Sequence, residues 1–327
     1  MSKALRLASI MLPLFLMTGC FLHGDLVEAP PRTAKSELCK DCHPNEYREW
    51  SKSSHSKAYK SHYFRRQTDN YQVKKCLECH SAAPIYAAKE LSIRHNNRSE
   101  GVNCITCHLT PDQELAGPHF VLPAHATKMK DPFYKDSKLC GTCHKEHLEE
   151  WNEVKTALST KEQGELQTCQ QCHMPKLHRK LIPEGIMQYF HWKMDTGQHT
   201  FNLDVKPPEG KSWVKITPSY RMGRKHFLVD LTMTHSIPHS LPSGIFGFKA
   251  VDLIVALKTP SGMTLEEKMI TLYVEEEQNL KAGKQLSKRF SFGLEAKAKA
   301  EYIEFKVNRR NSRMDFGRTI HQEQHRI

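Results

Sequence analysis

Beyond its first 20 residues the 327-residue chain has no stretch approaching 18 consecutive apolar residues, which excludes an internal membrane-spanning helix. Apolar side chains are scarce throughout. A hydrophobic fraction of 39% and a mean hydropathy of −0.60 are low for a chain that must bury a large core of its own side chains. Scattered Ile, Leu and Val and an aromatic content of 9% argue against full disorder. The length allows two domains. Either the chain folds loosely or a non-protein group supplies part of its core. Acidic residues are also in deficit: 36 Asp and Glu against 48 Lys and Arg give a formal charge of +12. Such a balance ordinarily points to nucleic acid or an anionic membrane. In excess are 11 cysteines and 20 histidines.

Residues 1–19 read as an export signal: Lys3 and Arg6 form a basic start, and Leu7 to Met17 an apolar stretch too short for a stable anchor. It ends in Leu16-Met17-Thr18-Gly19-Cys20, which resembles a bacterial lipobox and makes Cys20 the expected lipidation site. Cysteine arithmetic agrees, because the other ten cysteines pair off and Cys20 is left over. Phe21 follows, and no Asp that would favour inner-membrane retention, so the expected location is the outer membrane, facing the periplasm or the cell surface. Residues 20–35, with Pro30 and Pro31, read as a tether.

Five C-x-x-C-H motifs follow. They are Cys39-Lys-Asp-Cys42-His43, Cys76-Leu-Glu-Cys79-His80, Cys104-Ile-Thr-Cys107-His108, Cys140-Gly-Thr-Cys143-His144 and Cys169-Gln-Gln-Cys172-His173. Two thiols three residues apart reach the two vinyl groups on one porphyrin edge, and the adjacent histidine lies under the iron as proximal ligand. A single such motif could be a redox dithiol or half a zinc site. Ten cysteines could also form disulfides in an oxidising compartment, but disulfides would not require the five histidines. The expected cofactors are five covalently attached c-type haems.

That expectation changes the meaning of the charge. Without Lys3 and Arg6 the chain carries +10, and ten haem carboxylates contribute roughly −10 if ionised. A nucleic-acid surface is therefore a poor reading. Porphyrins also account for the thin core, since helices can pack on haem.

Trp50 lies seven residues after His43, and Trp151 seven after His144, each preceded by Glu. Motifs 1–2 and 4–5 thus read as copies of one two-haem unit, with motif 3 between them. Asn45–Tyr63 and Lys145–Ser159 are the best helix candidates.

Trp50-x-x-Ser53-x-His55, Gly101-Val102-Asn103-Cys104, Gly117-Pro118-His119 and Cys172-His173-Met174-Pro175 occur together. In this the chain resembles the multihaem cytochromes c related to the tetrahaem electron acceptor of hydroxylamine oxidoreductase, a superfamily that also holds hydroxylamine oxidoreductase and pentahaem nitrite reductase. The resemblance covers about residues 36–260. It implies a haem wire and four distal iron ligands: His55, His119, His199 in Gly197-Gln-His-Thr-Phe201, and His239 in Pro238-His-Ser-Leu-Pro-Ser-Gly244. Pro238 stands where the family has Gly, and His235 is an alternative to His239. His62, His95, His125, His178 and His191 stay open as a fifth ligand. His147 reads as a solvated helix residue, and His321 and His325 as tail residues.

Residues 36–204 are thus expected to form a pentahaem cytochrome domain of short helices and loops. Residues 205–307 read as an antiparallel β-sandwich: Ser212–Thr217, His226–Thr234, Lys249–Thr259, Lys268–Val274 and Ala300–Val307 alternate apolar and polar residues or lie between Pro-Ser-Gly turns. Residues 308–327 read as a flexible basic tail.

Electron carriage by stacked haems is the leading reading, with no catalytic residues assigned. The partners expected are other cytochromes or a quinol-linked donor, and a membrane reached through the lipid anchor. A reductase or oxidase of small nitrogen or sulfur oxyanions with one open haem is the second reading. All five motifs end in His, whereas pentahaem nitrite reductases typically carry C-x-x-C-K at the catalytic haem. The third is a subunit of an extracellular cytochrome filament, which leaves oligomerisation open.

Overall fold

The computed structural model describes residues 30–327 except 123, 208, 245–247, 275–277 and 312–316. The expected signal peptide, Cys20 and most of the tether lie outside the described residues. Two compact units result. One comprises the described residues up to Cys143 together with Gln167–Val205; the other comprises His144–Leu166 and Lys206–Ile327. The segment 144–166 groups with the β strands and not with the other haem motifs.

The first unit is built from short helices. The main ones are Glu37–Lys40, Pro44–Lys52, Ser54–Lys57, His62–Gln67, Lys74–His80, Cys104–His108, Lys138–Gly141 and Cys169–His173. Strand β1 (Leu115–Ala116) pairs in parallel with β2 (Thr127–Lys128), and β3 (Lys176–Arg179) pairs antiparallel with β4 (Met194–Gly197). The helix expected over 45–63 is interrupted. Pro44 opens it at a first-turn position, where its fixed φ is already helical. Ser53 then turns extended (φ −72°, ψ 164°), and its hydroxyl accepts the Ser56 N–H to cap the helix carrying His55. The apolar cluster in this unit is small: Ala34, Ile105 and Leu109, with Leu115 against them.

Among the described residues the second unit carries the helices Lys145–Ala157, Thr160–Glu165 and Leu294–Lys299, and seven strands. These are β5 (Val214–Met222), β6 (His226–His235), β7 (Ala250–Lys258), β8 (Thr264–Tyr273), β9 (Leu286–Gly293), β10 (Tyr302–Arg310) and β11 (Arg318–Arg326). They form two antiparallel sheets, β5-β6-β9 and β11-β10-β7-β8. Alternation in β6 buries Phe227, Val229, Leu231 and Met233. These side chains share one apolar cluster with Val251, Leu253, Val255 and Leu257 of β7 and with Ile303, Phe305 and Val307 of β10.

The reading of 308–327 as a flexible tail is corrected. β11 pairs with β10 from Tyr302↔Arg326 to Arg309↔Arg318, with a register shift after Val307. Its sequence, Arg-Thr-Ile-His-Gln-Glu-Gln-His-Arg, has one apolar residue and so shows no hydrophobic period. Backbone pairing holds it, and its charged side chains suit a sheet edge. Glu323 accepts from ring nitrogens of both His321 and His325 at 3.1 and 3.0 Å.

Candidate haem-binding sites

Each C-x-x-C-H motif falls on a helical turn, where residues three apart share a face. Motifs 3 and 5 coincide with the helices Cys104–His108 and Cys169–His173, each closed by a capping box, Asn103 with Thr106 and Thr168 with Gln171. Motif 2 occupies the end of Lys74–His80, so that Cys76 and Cys79 both lie within one helix. Motifs 1 and 4 are split between a helix and the turn that follows it. Cys39 belongs to Glu37–Lys40 and Cys42 to the next turn; Cys140 belongs to Lys138–Gly141 and Cys143 to the next turn. These two motifs end in His43 and His144, each the N-cap of the next helix. The ten motif cysteines, Cys42 and Cys79 included, are half-buried.

Four of the five motif histidines are held by a backbone carbonyl. Nδ1 of His43, His80, His108 and His173 meets a backbone carbonyl, of Leu181 (3.2 Å), Ala58 (2.9 Å), Ala116 (2.8 Å) and Asn202 (2.7 Å) respectively. A carbonyl only accepts, so Nδ1 carries the proton and Nε2 keeps its lone pair for a metal. Burial favours the neutral ring as well. It lowers His43 to about 4 and holds His80 and His108 below their usual value.

The thiols come together in an order that the motif sequence did not indicate. Cys39 of motif 1 lies beside Cys104 of motif 3. Cys140 of motif 4 likewise lies beside Cys169 of motif 5. In both cases the first cysteine of a motif reaches across to another motif, while the second stays on its own turn. A serine three residues before the first cysteine supports each pair. Ser36 contacts Cys104, and Ser137 Oγ accepts the Cys169 N–H at 3.2 Å. Trp50 Nε1 donates to Val102 O at 2.7 Å, next to motif 3. The structural repeat is therefore Ser-x-Leu-Cys-x-x-Cys-His (motifs 1 and 4) with a capped Cys-x-x-Cys-His helix (motifs 3 and 5). Motif 2, with Cys76 and Cys79, is the inserted one, which corrects the pairing of 1 with 2. The mark of this lies in the sequence, in Ser36-Glu-Leu-Cys39 and Ser137-Lys-Leu-Cys140, but the shared Trp spacing drew attention to the next motif along the chain.

Of the distal candidates, His199 is the best placed. Its ring centre lies 6.1 Å from that of His108 and 5.9 Å from Phe201, and burial lowers it to about 4. His55 packs edge-on against Phe201 at 4.2 Å. His119 is half-buried, near Lys135, Lys176 and Asp195. His239 lies in the second unit, 5.9 Å from His147. His235 is buried in that unit with Nε2 against Leu280 O at 2.9 Å, so that nitrogen is already used. Among the remaining candidates His191 is buried, and His191 and His125 belong to the surroundings of His43. His62, His95 and His178 are exposed. His147 is not simply solvated: its ring lies 5.6 Å from that of His144, and its Cε1 occupies the space a side chain at Gly244 would need.

Two arginines that the motifs did not point to, Arg179 and Arg94, bear on the site. Arg179 Nη2 donates to Glu49 Oε2 at 2.9 Å and meets Glu46 at 3.0 Å. Burial pushes Glu49 up, but the Arg179 fork outweighs it and holds the carboxyl below its usual range. Arg94 is 4% exposed. Its Nη2 donates to Gly101 O at 2.5 Å, while Nε and Nη1 have no hydrogen-bond partner among the described residues. The nearby Glu100 is engaged with Ser36 and Asn103. A buried guanidinium with two nitrogens left over fits a haem carboxylate.

Residues 38–109 match the family model described as cytochrome c554 and c-prime. A penta-heme cytochrome c552 from Thermochromatium tepidum has a similar structure. It is 15% identical, the match covers 91% of this chain and 100% of that one, and the TM-score is 0.60. The fold is that of a multihaem cytochrome c. A β-glucuronidase from Bacteroides uniformis also matches, 12% identical over 34% of this chain and 12% of that one, with a TM-score of 0.20. No curated protein matches the chain. The family-model match and the penta-heme likeness support an electron-transfer cytochrome with covalently bound c-type haem, and the paired cysteines and oriented imidazoles fit that group.

Proposed function

We propose that the protein is an exported pentahaem cytochrome that carries electrons along a chain of closely spaced haems and is not primarily an enzyme. The observation that carries this is the joining of motif 1 to motif 3, where Ser36 N–H and Asn103 Nδ2 both donate to Glu100, and of motif 4 to motif 5, where the Cys169 N–H donates to Ser137 Oγ. These bonds bring attachment edges of different motifs together, as rapid exchange between neighbours requires. Bound haem supplies one-electron chemistry at a potential set by its ligands and surroundings. The chain's own residues do the rest. Cys39 with Cys42, Cys76 with Cys79, Cys104 with Cys107, Cys140 with Cys143 and Cys169 with Cys172 would each hold one group. His43, His80, His108, His144 and His173 would ligate its iron, and the carbonyls behind four of them raise their basicity.

His199 is proposed to hold the same group as His108, since their ring centres lie 6.1 Å apart. His55, His119 and His239 are proposed for three further irons. Arg94 would hold a haem carboxylate. The two sheets of the second unit are proposed to pack as a sandwich, a reading their shared apolar cluster supports. Cys20 would anchor the protein by lipid to the outer membrane, and its redox partners would be other cytochromes or a quinol-linked donor.

The test is intact mass with electron paramagnetic resonance on the holoprotein. We expect five haem additions and predominantly low-spin iron, rapid exchange with dyes and negligible turnover of nitrite, hydroxylamine or sulfite. A substantial high-spin signal joined to turnover of those substrates at enzymatic rates overturns the carrier assignment.

A further inference from the structure

The Glu-Trp dipeptide occurs twice, and in both copies the glutamate does the same work. Glu49 lies six residues after His43 on the helix Pro44–Lys52, and Glu150 six residues after His144 on the helix Lys145–Ala157. Both following tryptophans are buried, which fixes the rotation of each helix and aims the adjacent glutamate the same way. Glu49 Oε2 accepts the backbone N–H of His199 at 2.9 Å. Glu150 Oε2 accepts the backbone N–H of Ser240 at 3.1 Å, and the Ser243 hydroxyl donates to the same oxygen at 2.5 Å. The two loops share no sequence pattern apart from the histidine: one reads Gly-Gln-His-Thr-Phe, the other Pro-His-Ser-Leu-Pro-Ser-Gly. In each, the glutamate takes a main-chain N–H of the histidine or of the residue directly after it.

Each clamp is itself held. Arg179, on β3, donates to Glu49, and its Nε donates to Thr196 Oγ1 on β4 at 2.9 Å, so the hairpin leading into His199 is tied to the same carboxylate. In the second unit Lys249 Nζ donates to Ser243 O at 2.9 Å, and Gly244 takes a positive φ of 81° at the loop's end.

We propose that Glu49 and Glu150 are positioning residues that fix the main chain beside His199 and His239, so that each imidazole is presented to an iron without reorganisation. This rests on the assignment of those two histidines as distal ligands. A charge-assisted bond to a carboxylate is stronger and more directional than one to a neutral oxygen. A ligand loop with its backbone pinned pays no ordering entropy when the metal is bound. The repeat then acquires a physical meaning. The helix that begins at a proximal histidine reaches six residues on to set a distal one.

The experiment is electron paramagnetic resonance and redox titration of holoprotein carrying Glu49→Ala, Glu150→Ala, Glu49→Gln, Glu150→Gln, His199→Ala or His239→Ala. His199→Ala and His239→Ala should each convert one low-spin haem to high-spin. Glu49→Ala should give a partial high-spin signal at the haem opened by His199→Ala, and Glu150→Ala at the haem opened by His239→Ala. Added imidazole should reverse both. The glutamine variants keep an acceptor oxygen and should stay low-spin. If an alanine variant fails to take up haem, Glu49→Asp or Glu150→Asp, which keeps the charge but withdraws the oxygens, decides by the same readout. Wild-type spectra for the alanine (or aspartate) variants, with the histidine variants altered, overturn the clamp alone. Unchanged histidine variants overturn the ligand assignment and the clamp with it.

Discussion

The two units solve the problem of a core in different ways. In the β-rich unit, Leu231, Met233, Leu253, Leu257, Leu272, Phe292, Ile303 and Phe305 are each less than 2% exposed and belong to one cluster. In the haem-motif unit the cluster is Ala34, Ile105 and Leu109. Its other buried apolar side chains, such as Phe64, Leu77, Ile85 and Tyr134, lie outside that cluster. Its order comes from local devices: caps at Asn103 and Thr168, carbonyls behind four imidazoles, and the Arg179 fork. A unit with so little apolar burial cannot offset the entropy of ordering its chain without the groups its cysteines attach. The fold of the β-rich unit is thus expected to stand on its side chains, and that of the other to depend on its cofactors.

The largest effect expected from this comparison is that of removing haem altogether. A chain produced without haem attachment should keep slow hydrogen exchange in β6, β7 and β10 and lose it in the helices Pro44–Lys52 and Lys74–His80. Equal protection in both units would break the contrast. Next in size is a cavity in the β core. Phe305→Ala should cost the β-rich unit about 3–5 kcal/mol in urea unfolding, with the visible spectrum of the haems unchanged before the transition. A loss under about 1 kcal/mol would show that the cluster collapses around the gap.

The smallest effect is titration of His235. Burial holds its folded pKa below the usual value of 6.5, so the neutral ring is the stable form in the fold. Its contribution is therefore present above about pH 6.5 and is lost as pH falls toward the folded value. The unfolding midpoint of the β-rich unit should drop on going from pH 7.5 to 5.5, and less so in His235→Gln. Equal slopes for the two proteins would remove His235 as the cause.

What the residues alone determined is the chemistry that depends on near neighbours in the chain. The C-x-x-C-H spacing is a local constraint, since one helical turn sets two thiols, such as Cys76 and Cys79, on a face and a histidine beside them. Strand alternation at Phe227–Met233 is likewise a period of two written into consecutive residues. Only the tertiary structure decided the features that join distant residues. The contacts of Cys39 with Cys104 and of Cys140 with Cys169 depend on chain reversal, and nothing in either motif names its partner. The edge strand β11 forms by backbone pairing, which carries no hydrophobic signal. Glu49 at His199 and Glu150 at Ser240 span 150 and 90 residues. A carboxylate's partner across such a gap is set by where two helices and two loops come to lie, and only the folded chain fixes that.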